Sequence, residues 1–149
     1  MELPRFHRLR GAYYRLEGSM CRGCGARRFP ARRICPDCRS ADQATHRFSG
    51  RGVVWAVTRL QQAPRGHASL APYSVGMVRL EEGPMVTAQL VEDGRGELKP
   101  GTVVEMVTRK VRDAQEHGLI VYGYKFRPAA PPAGSRPEAA DEEHSGDAR

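Results

Sequence analysis

Four cysteines fall in two close pairs, Cys21 and Cys24 in CRGC and Cys35 and Cys38 in CPDC, with ten residues between the pairs. A C-x2-C turn lets two thiolates converge. Two such turns on a segment that folds back present four, the tetrahedral set that Zn2+ takes at about 2.3 Å per sulfur. A thioredoxin-like redox pair needs one C-x2-C in a βαβ setting, which is absent, and haem attachment needs C-x2-C-H, where this chain has Gly25 and Arg39. Iron is accepted by the same four thiolates and stays open as an alternative, although an electron carrier needs no basic body attached to it. Zinc is the metal expected. With every coordination position filled by protein, no place is left for water or substrate, so the site is expected to be structural. Loss of any one cysteine is then expected to unfold residues 19–47, which hold too few apolar side chains to form a core of their own. Gly23 and Gly25 can supply positive-φ positions in the first turn, and Pro36 fixes part of the second.

The same stretch is rich in arginine. Zn2+ with four thiolates carries a formal charge of −2, and Arg22, Arg27, Arg28, Arg32, Arg33 and Arg39 lie close enough in sequence to offset it. Two negative charges do not require six cations, so the surplus faces outward, and phosphate is a natural ligand for a planar guanidinium fork. Residues 1–126 hold 21 basic and 12 acidic side chains, a net of +9, whereas the remainder carries three arginines and five acids, a net of −2. Such a field suits an anionic partner. The ratio of 21 arginines to three lysines equally fits a compositional bias with solvated side chains.

The elements that must position these groups follow from periodicity. Phe6, Leu9, Tyr13 and Leu16 recur at helical intervals, with Gly18 as a stop, which predicts one amphipathic helix over about residues 4–17 whose apolar stripe must lie on the body or on another protein. From Phe48 the pattern becomes β-rich: residues 53–60, 73–80, 85–90, 102–111 and 119–126 are short apolar runs between glycine, proline and charged turns. Five such strands fit a small barrel. Val53, Trp55 and Val57 share one face of the first strand, and Ile120, Tyr122, Tyr124 and Phe126 one face of the last, and these faces are expected to look into the core. The 61–71 segment, with Arg65 and His67, is too long for a tight hairpin and is a candidate functional loop. Residues 127–149 are rich in proline, alanine and acids and are expected to be disordered. The expected division is a helix over 1–18, a metal-held segment over 19–47, a barrel over 48–126 and a tail over 127–149.

Several local motifs accompany this order: Tyr13 and Tyr14 late in the helix, CRGCGARRFP with Phe29-Pro30, CPDC, Gly50-x-Gly52 entering the barrel, Pro72-Tyr73 opening the second strand, and LKPG (98–101) before a long strand. Together they resemble the bacterial and archaeal accessory proteins of thiolase-superfamily enzymes, which have an N-terminal helix, a rubredoxin-like zinc ribbon and a C-terminal OB-fold. The resemblance covers about residues 5–126. It implies a mainly β protein with a five-stranded OB-fold barrel and a structural Zn2+ held by Cys21, Cys24, Cys35 and Cys38. It also implies a non-catalytic subunit that docks on a thiolase, condensing enzyme or aldolase of thiolase fold, forms a hetero-oligomer with it, and helps bind or channel acyl-coenzyme A, in lipid metabolism. Arg27, Arg28, Arg32 and Arg33 are the candidate contacts to the coenzyme's phosphates, with Tyr73 and the 61–71 loop as candidate groove elements. For Phe29 and Tyr73, ordinary packing between ribbon and barrel is the competing reading.

Two other classes compete. Zinc ribbons and OB-folds also bind single-stranded nucleic acid, but that use needs exposed aromatics on strand faces, and Trp55, Tyr122, Tyr124 and Phe126 are as readily assigned to the core. An enzyme is disfavoured: Ser69 and Ser74 lack a G-x-S-x-G setting, no paired-carboxylate or zinc-hydrolase motif is present, and His7, His46 and His117 have no catalytic partner at a suggestive spacing. No apolar run approaches the roughly 18 residues of a membrane helix, and MELPRFHRLRGAYY lacks the apolar stretch of a signal peptide, so a cytoplasmic protein with reduced thiols is expected.

Overall fold

The computed structural model describes residues 3–62, 71–92, 94, 98–112 and 120–130. Two short helices, α1 (Leu3–Arg8) and α2 (Arg10–Arg15), lead into a three-stranded antiparallel sheet of β1 (Glu17–Cys21), β2 (Arg27–Arg28) and β3 (Gln43–Arg47) in the order β2-β1-β3. A closed barrel follows, formed by β4 (Arg51–Leu60), β5 (Tyr73–Leu80), β6 (Met85–Leu90), β7 (Val103–Arg112) and β8 (Val121–Pro128) in the order β4-β5-β6-β8-β7. This is the five-stranded closure of an OB-fold, with the parallel contact of β6 and β8 at Leu90 and Phe126 sealing it. Among the described residues no helix is long and apolar enough to cross a membrane.

The single helix expected over residues 4–17 is two. Leu9 leaves helical geometry at φ −93° and ψ 9°, although its carbonyl still accepts the Tyr13 N–H at 3.0 Å. The helix stops at Leu16 and not at Gly18, because Leu16 takes a left-handed conformation (φ 51°) and drops its side chain into the core, fully buried. Gly18 instead lies in β1, opposite His46, where the carbonyl of Arg28 and the ring of Phe48 leave no room for a Cβ. Helix α2 rests on β8, with Tyr13 against Gly123.

One core joins the parts. Val54, Val78, Leu80, Val86, Ala88, Leu90, Leu98, Val104 and Phe126 fill the barrel, and Leu16 and Phe48 enter from the N-terminal side. Phe29 meets Phe48 and Tyr124 edge to face at 6.2 and 5.5 Å, so its packing reading holds. The turn entering the barrel uses Gly50 at φ +78°, where a Cβ would also strike Met106.

Two faces assigned to the core are corrected. A β-bulge at Trp55 shifts the β4–β5 register between Val54 and Ala56, so Gly52 and Val54 face inward before it and Val57 after it. Val53 and Trp55 therefore lie on the outer surface, Trp55 being 57% exposed. In β8 Phe126 is buried and Tyr124 packs on the core, but Ile120 and Tyr122 lie beyond it and are exposed, Tyr122 opposite Lys110. The last strand also runs past Phe126: Arg127 pairs with Glu105 at 2.7 Å, and the Ala129 N–H donates to Val103 at 2.9 Å. The expected tail thus begins inside β8, and its residues 131–149 lie outside the described residues. So do residues 63–70 of the candidate loop, with Arg65, His67 and Ser69, and His117.

Candidate metal centre and surrounding surface

The strands of the ribbon bring the four cysteines to one point. Their sulfurs all lie within 4.8 Å of one another, with Cys21 to Cys38 at 3.4 Å and Cys24 to Cys35 at 3.6 Å. Those separations are far beyond an S–S bond of about 2.05 Å. They are close to the roughly 3.8 Å edge of a tetrahedron with 2.3 Å metal–sulfur bonds. Cys21 and Cys35 are buried, Cys24 and Cys38 exposed.

The two turns have the same backbone wiring. In the first, the Cys21 N–H donates to the Ala26 carbonyl at 2.9 Å and the Gly25 N–H to the Cys21 carbonyl at 2.8 Å. In the second, the Cys35 N–H donates to Ser40 at 2.9 Å and the Arg39 N–H to Cys35 at 2.9 Å. The residue after the second cysteine is left-handed in both, Gly25 at φ +73° and Arg39 at φ +60°. Of the two glycines expected to need positive φ, only Gly25 does.

The donor set fits a cation. The Cys24 amide, donating to its sulfur, leads in holding the Cys21 thiol down to about 6. The Ala26 amide acts the same way on Cys24, but the crowding of Cys38 and Cys35 outweighs it and pushes that thiol up to about 12. Four thiols this close cannot all ionise unless a positive charge sits among them. A bound Zn2+ supplies that charge and crosslinks the two turns.

The candidate phosphate contacts do not form one cluster. Arg28 is committed to Asp37, which raises its pKa through that hydrogen bond, and Asp37 in turn lies 3.9 Å from the Cys35 sulfur. Arg27 sits in the edge strand β2, exposed, opposite Met20. Arg32 and Arg33 together line a shallow groove of about 300 Å3 with Ser19, Gln43 and Thr45, and the Ser19 hydroxyl accepts the Arg32 N–H at 3.0 Å. Tyr73 is remote from them in the chain order of the fold, at the start of β5 and opposite Leu60.

Two grooves have no counterpart in the sequence reading. Tyr14, Arg15, Arg47, Phe48, Ser49, Met106 and Thr108 line one of about 520 Å3 where helix, ribbon and barrel meet. Phe6, His7, Arg10, Tyr13, Tyr14, Ile120, Val121 and Tyr122 line another of about 190 Å3. Tyr14 carries the Arg10 guanidinium 5.8 Å above its ring. The only advance signal was the helical stripe, and nothing local in the sequence ties it to the start of β8.

A four-cysteine ribbon followed by a closed five-stranded barrel defines a zinc-ribbon and OB-fold protein. Residues 10–42 match the family model described as the ChsH2 rubredoxin-like zinc ribbon domain, and residues 45–109 that of the ChsH2 C-terminal OB-fold domain. The chain belongs to the family of DUF35 domain-containing scaffold proteins. It is 46% identical over 128 residues to such a protein of Pyrococcus furiosus, covering 86% of this chain and 93% of the relative. A second, from Methanothermobacter thermautotrophicus, is 42% identical over 116 residues, covering 77% and 87%. Among solved structures, a chain of the Ltp2-ChsH2(DUF35) aldolase superposes with a TM-score of 0.66 at 25% identity, covering 87% of this chain and 94% of that one. The cofactor of the ribbon domain is structural zinc.

Proposed function

We propose that this protein is a non-catalytic scaffold subunit that docks on a thiolase-fold enzyme and helps hold acyl-coenzyme A beside it. The observation that carries the reading is the likeness, over nearly the whole chain, to scaffold proteins and to a chain of an aldolase assembly. Zinc ligated by Cys21, Cys24, Cys35 and Cys38 has no open position and holds the ribbon of β1 to β3 in shape, while β4 to β8 form the barrel and α1 and α2 the docking element. Tyr14, Ile120 and Tyr122 give the helix groove an exposed apolar rim, suited to burial against an enzyme. Arg32 and Arg33, paired with no carboxylate among the described residues, are the candidate contacts for the coenzyme's phosphates; Arg27, Arg28 and Tyr73 are weaker candidates on their placement. Affinity purification of the full chain from its native host under gentle conditions should recover a thiolase-fold enzyme, and recovery of the chain alone would overturn docking. Coenzyme A titrated into the recovered complex should bind, more weakly after Arg32→Ala with Arg33→Ala; unchanged affinity would remove those two residues from the reading.

One observation favours a second reading. The exposure of Trp55 and Tyr122 removes the objection that the chain has no free aromatic for base stacking. Binding to a single-stranded oligonucleotide that weakens steeply with salt would support it, and no binding at low salt would dismiss it.

A further inference from the structure

The four sulfurs of the metal centre are not equivalent. Cys24 and Cys38, the second cysteine of each turn, are exposed, whereas Cys21 and Cys35, the first of each, are 1% exposed. Both short sulfur contacts join one of each kind across the turns: exposed Cys38 to buried Cys21 at 3.4 Å, and exposed Cys24 to buried Cys35 at 3.6 Å. A sulfur open to solvent is thus backed, in each pair, by a sheltered sulfur from the other turn. Bringing either pair to the bonded distance of about 2.05 Å closes a gap of roughly 1.5 Å, which rotation of two cysteine side chains can span.

The surroundings suit oxidation. Zinc keeps a ligating thiol deprotonated, and the thiolate is the form that reacts. Exposed cations flank the open cysteines in the chain, Arg22 before Cys24 and Arg39 after Cys38. Arg22 lies 3.8 Å from Asp42, and Arg39 makes no ion pair among the described residues. A guanidinium beside the sulfur favours departure of an anion from it.

We propose that Cys24 and Cys38 are oxidation sites for peroxides, and that oxidation exchanges the metal staple for two disulfides that cross the turns, Cys24 to Cys35 and Cys21 to Cys38. An exposed thiolate attacks one peroxide oxygen. The O–O bond breaks, the sulfur becomes a sulfenic acid, and hydroxide leaves and is protonated by solvent. The buried thiolate opposite then attacks the sulfenic sulfur, the S–O bond breaks, and a second hydroxide leaves as the S–S bond forms. Each disulfide consumes one peroxide, whose two electrons come from the two sulfurs. With its ligands oxidised, Zn2+ departs. Because both new bonds join the first turn to the second, they replace the metal as crosslink, and the ribbon keeps its shape without zinc. Disulfides within each turn would leave the two turns unconnected. Docking on an enzyme is not required for this chemistry.

The full-length, zinc-loaded protein is titrated with hydrogen peroxide while released zinc is read with a chromogenic chelator and remaining thiols are counted. Zinc should leave as all four thiols are consumed, at about two peroxides per zinc, and dithiothreitol with added zinc should restore both. Digestion without reduction, by trypsin and a protease that cuts before aspartate, places the cysteines in separate peptides, 16–22, 23–27, 34–36 and 37–39. Mass spectrometry should find 16–22 joined to 37–39 and 23–27 joined to 34–36. Before oxidation, a substoichiometric dose of iodoacetamide should label Cys24 and Cys38 several-fold ahead of Cys21 and Cys35. Amides of β1 to β3 should stay protected from hydrogen exchange in the oxidised, zinc-free chain, in contrast to the chelated, reduced one. Any other pairing of the four peptides, earlier labelling of Cys21 or Cys35, or loss of ribbon protection on oxidation would overturn the proposal. So would thiols that end as sulfinic acid, or full zinc and four thiols after excess peroxide.

Discussion

Ribbon and barrel, joined through a shared core that Leu16 and Phe48 enter, are held by different forces. In the ribbon the side chains between the two cysteine pairs are mostly exposed, and the buried ones of the pairs are Cys21 and Cys35. In the barrel the buried set is aliphatic and aromatic and runs round all five strands. A segment of this kind depends on a metal and on backbone wiring, whereas a barrel depends on area removed from water. The difference teaches that one injury should disable either part while sparing much of the other, and that their junction, where Leu16, Phe29 and Phe48 enter the core, sets how far damage spreads.

The largest effect is expected in the ribbon. Zinc-finger peptides gain on the order of 10–16 kcal/mol from such a site. Cys35→Ser, or chelation, should therefore abolish hydrogen-exchange protection across β1 to β3 while amides of β4 to β8 stay protected. Simultaneous loss of both would break the comparison and make the two parts one folding unit. Phe126→Ala is the converse injury. It empties the point where β6 and β8 seal the barrel and should cost about 3–5 kcal/mol in denaturant unfolding. Bound zinc, measured by metal analysis at neutral pH, should remain at one per chain.

A smaller effect is expected where the two parts are clasped. The Ser49 N–H, just after the ribbon, donates to Glu82 at 2.6 Å, between β5 and β6. Burial acts to raise the Glu82 carboxyl, but the N–H groups of Ser49 and of Glu82 itself outweigh it and hold the group below its ordinary value. A depressed folded value gives stability that is complete above the unfolded pKa, about 4.3, and is lost as pH falls through the folded value. Glu82→Ala should cost about 1–2 kcal/mol at pH 7. Its deficit relative to the native chain should shrink below pH 4, in unfolding experiments on both proteins at matched zinc loading. A deficit that does not change with pH would mean that the clasp is packing and not charge.

The two parts were also unequally legible in the sequence. The metal centre could be read from spacing alone, because a C-x2-C turn constrains its own geometry. The barrel could be read as five strands within a few residues of their bounds, since alternation survives in β5 and β6. What alternation could not give was the face of β4, because one extra residue at Trp55 inverts the pattern and nothing in VVWAVTRL marks it. The break at Leu9 and the turn at Leu16 were hidden for a different reason. They are set by where α2 and Leu16 meet the barrel, a contact distant in the chain. The arginines were legible as charge but not as partners: of the four candidate phosphate contacts, Arg28 is spent on Asp37, and Arg32 and Arg33 are the pair that shares a groove.

The smallest effect separates the two turns of the ribbon from each other. They share one hydrogen-bond pattern, yet the left-handed position is glycine in the first and arginine in the second. A residue with a Cβ pays roughly 1 kcal/mol or more in that conformation. Arg39→Gly should thus relieve strain, partly offset by the greater freedom of glycine in the unfolded chain, for a net gain of about 0.5–1 kcal/mol. Gly25→Ala should lose a similar amount, although nothing lies within 4 Å of its added Cβ, because the cost is conformational and not steric crowding by neighbours. Competition with a chelator at fixed pH measures both. Tighter zinc retention in the Arg39→Gly chain would establish the second turn as the strained one. Weaker retention would instead mean that the Arg39 cation, next to four thiolates with a net charge of −2 around zinc, contributes more than its backbone costs.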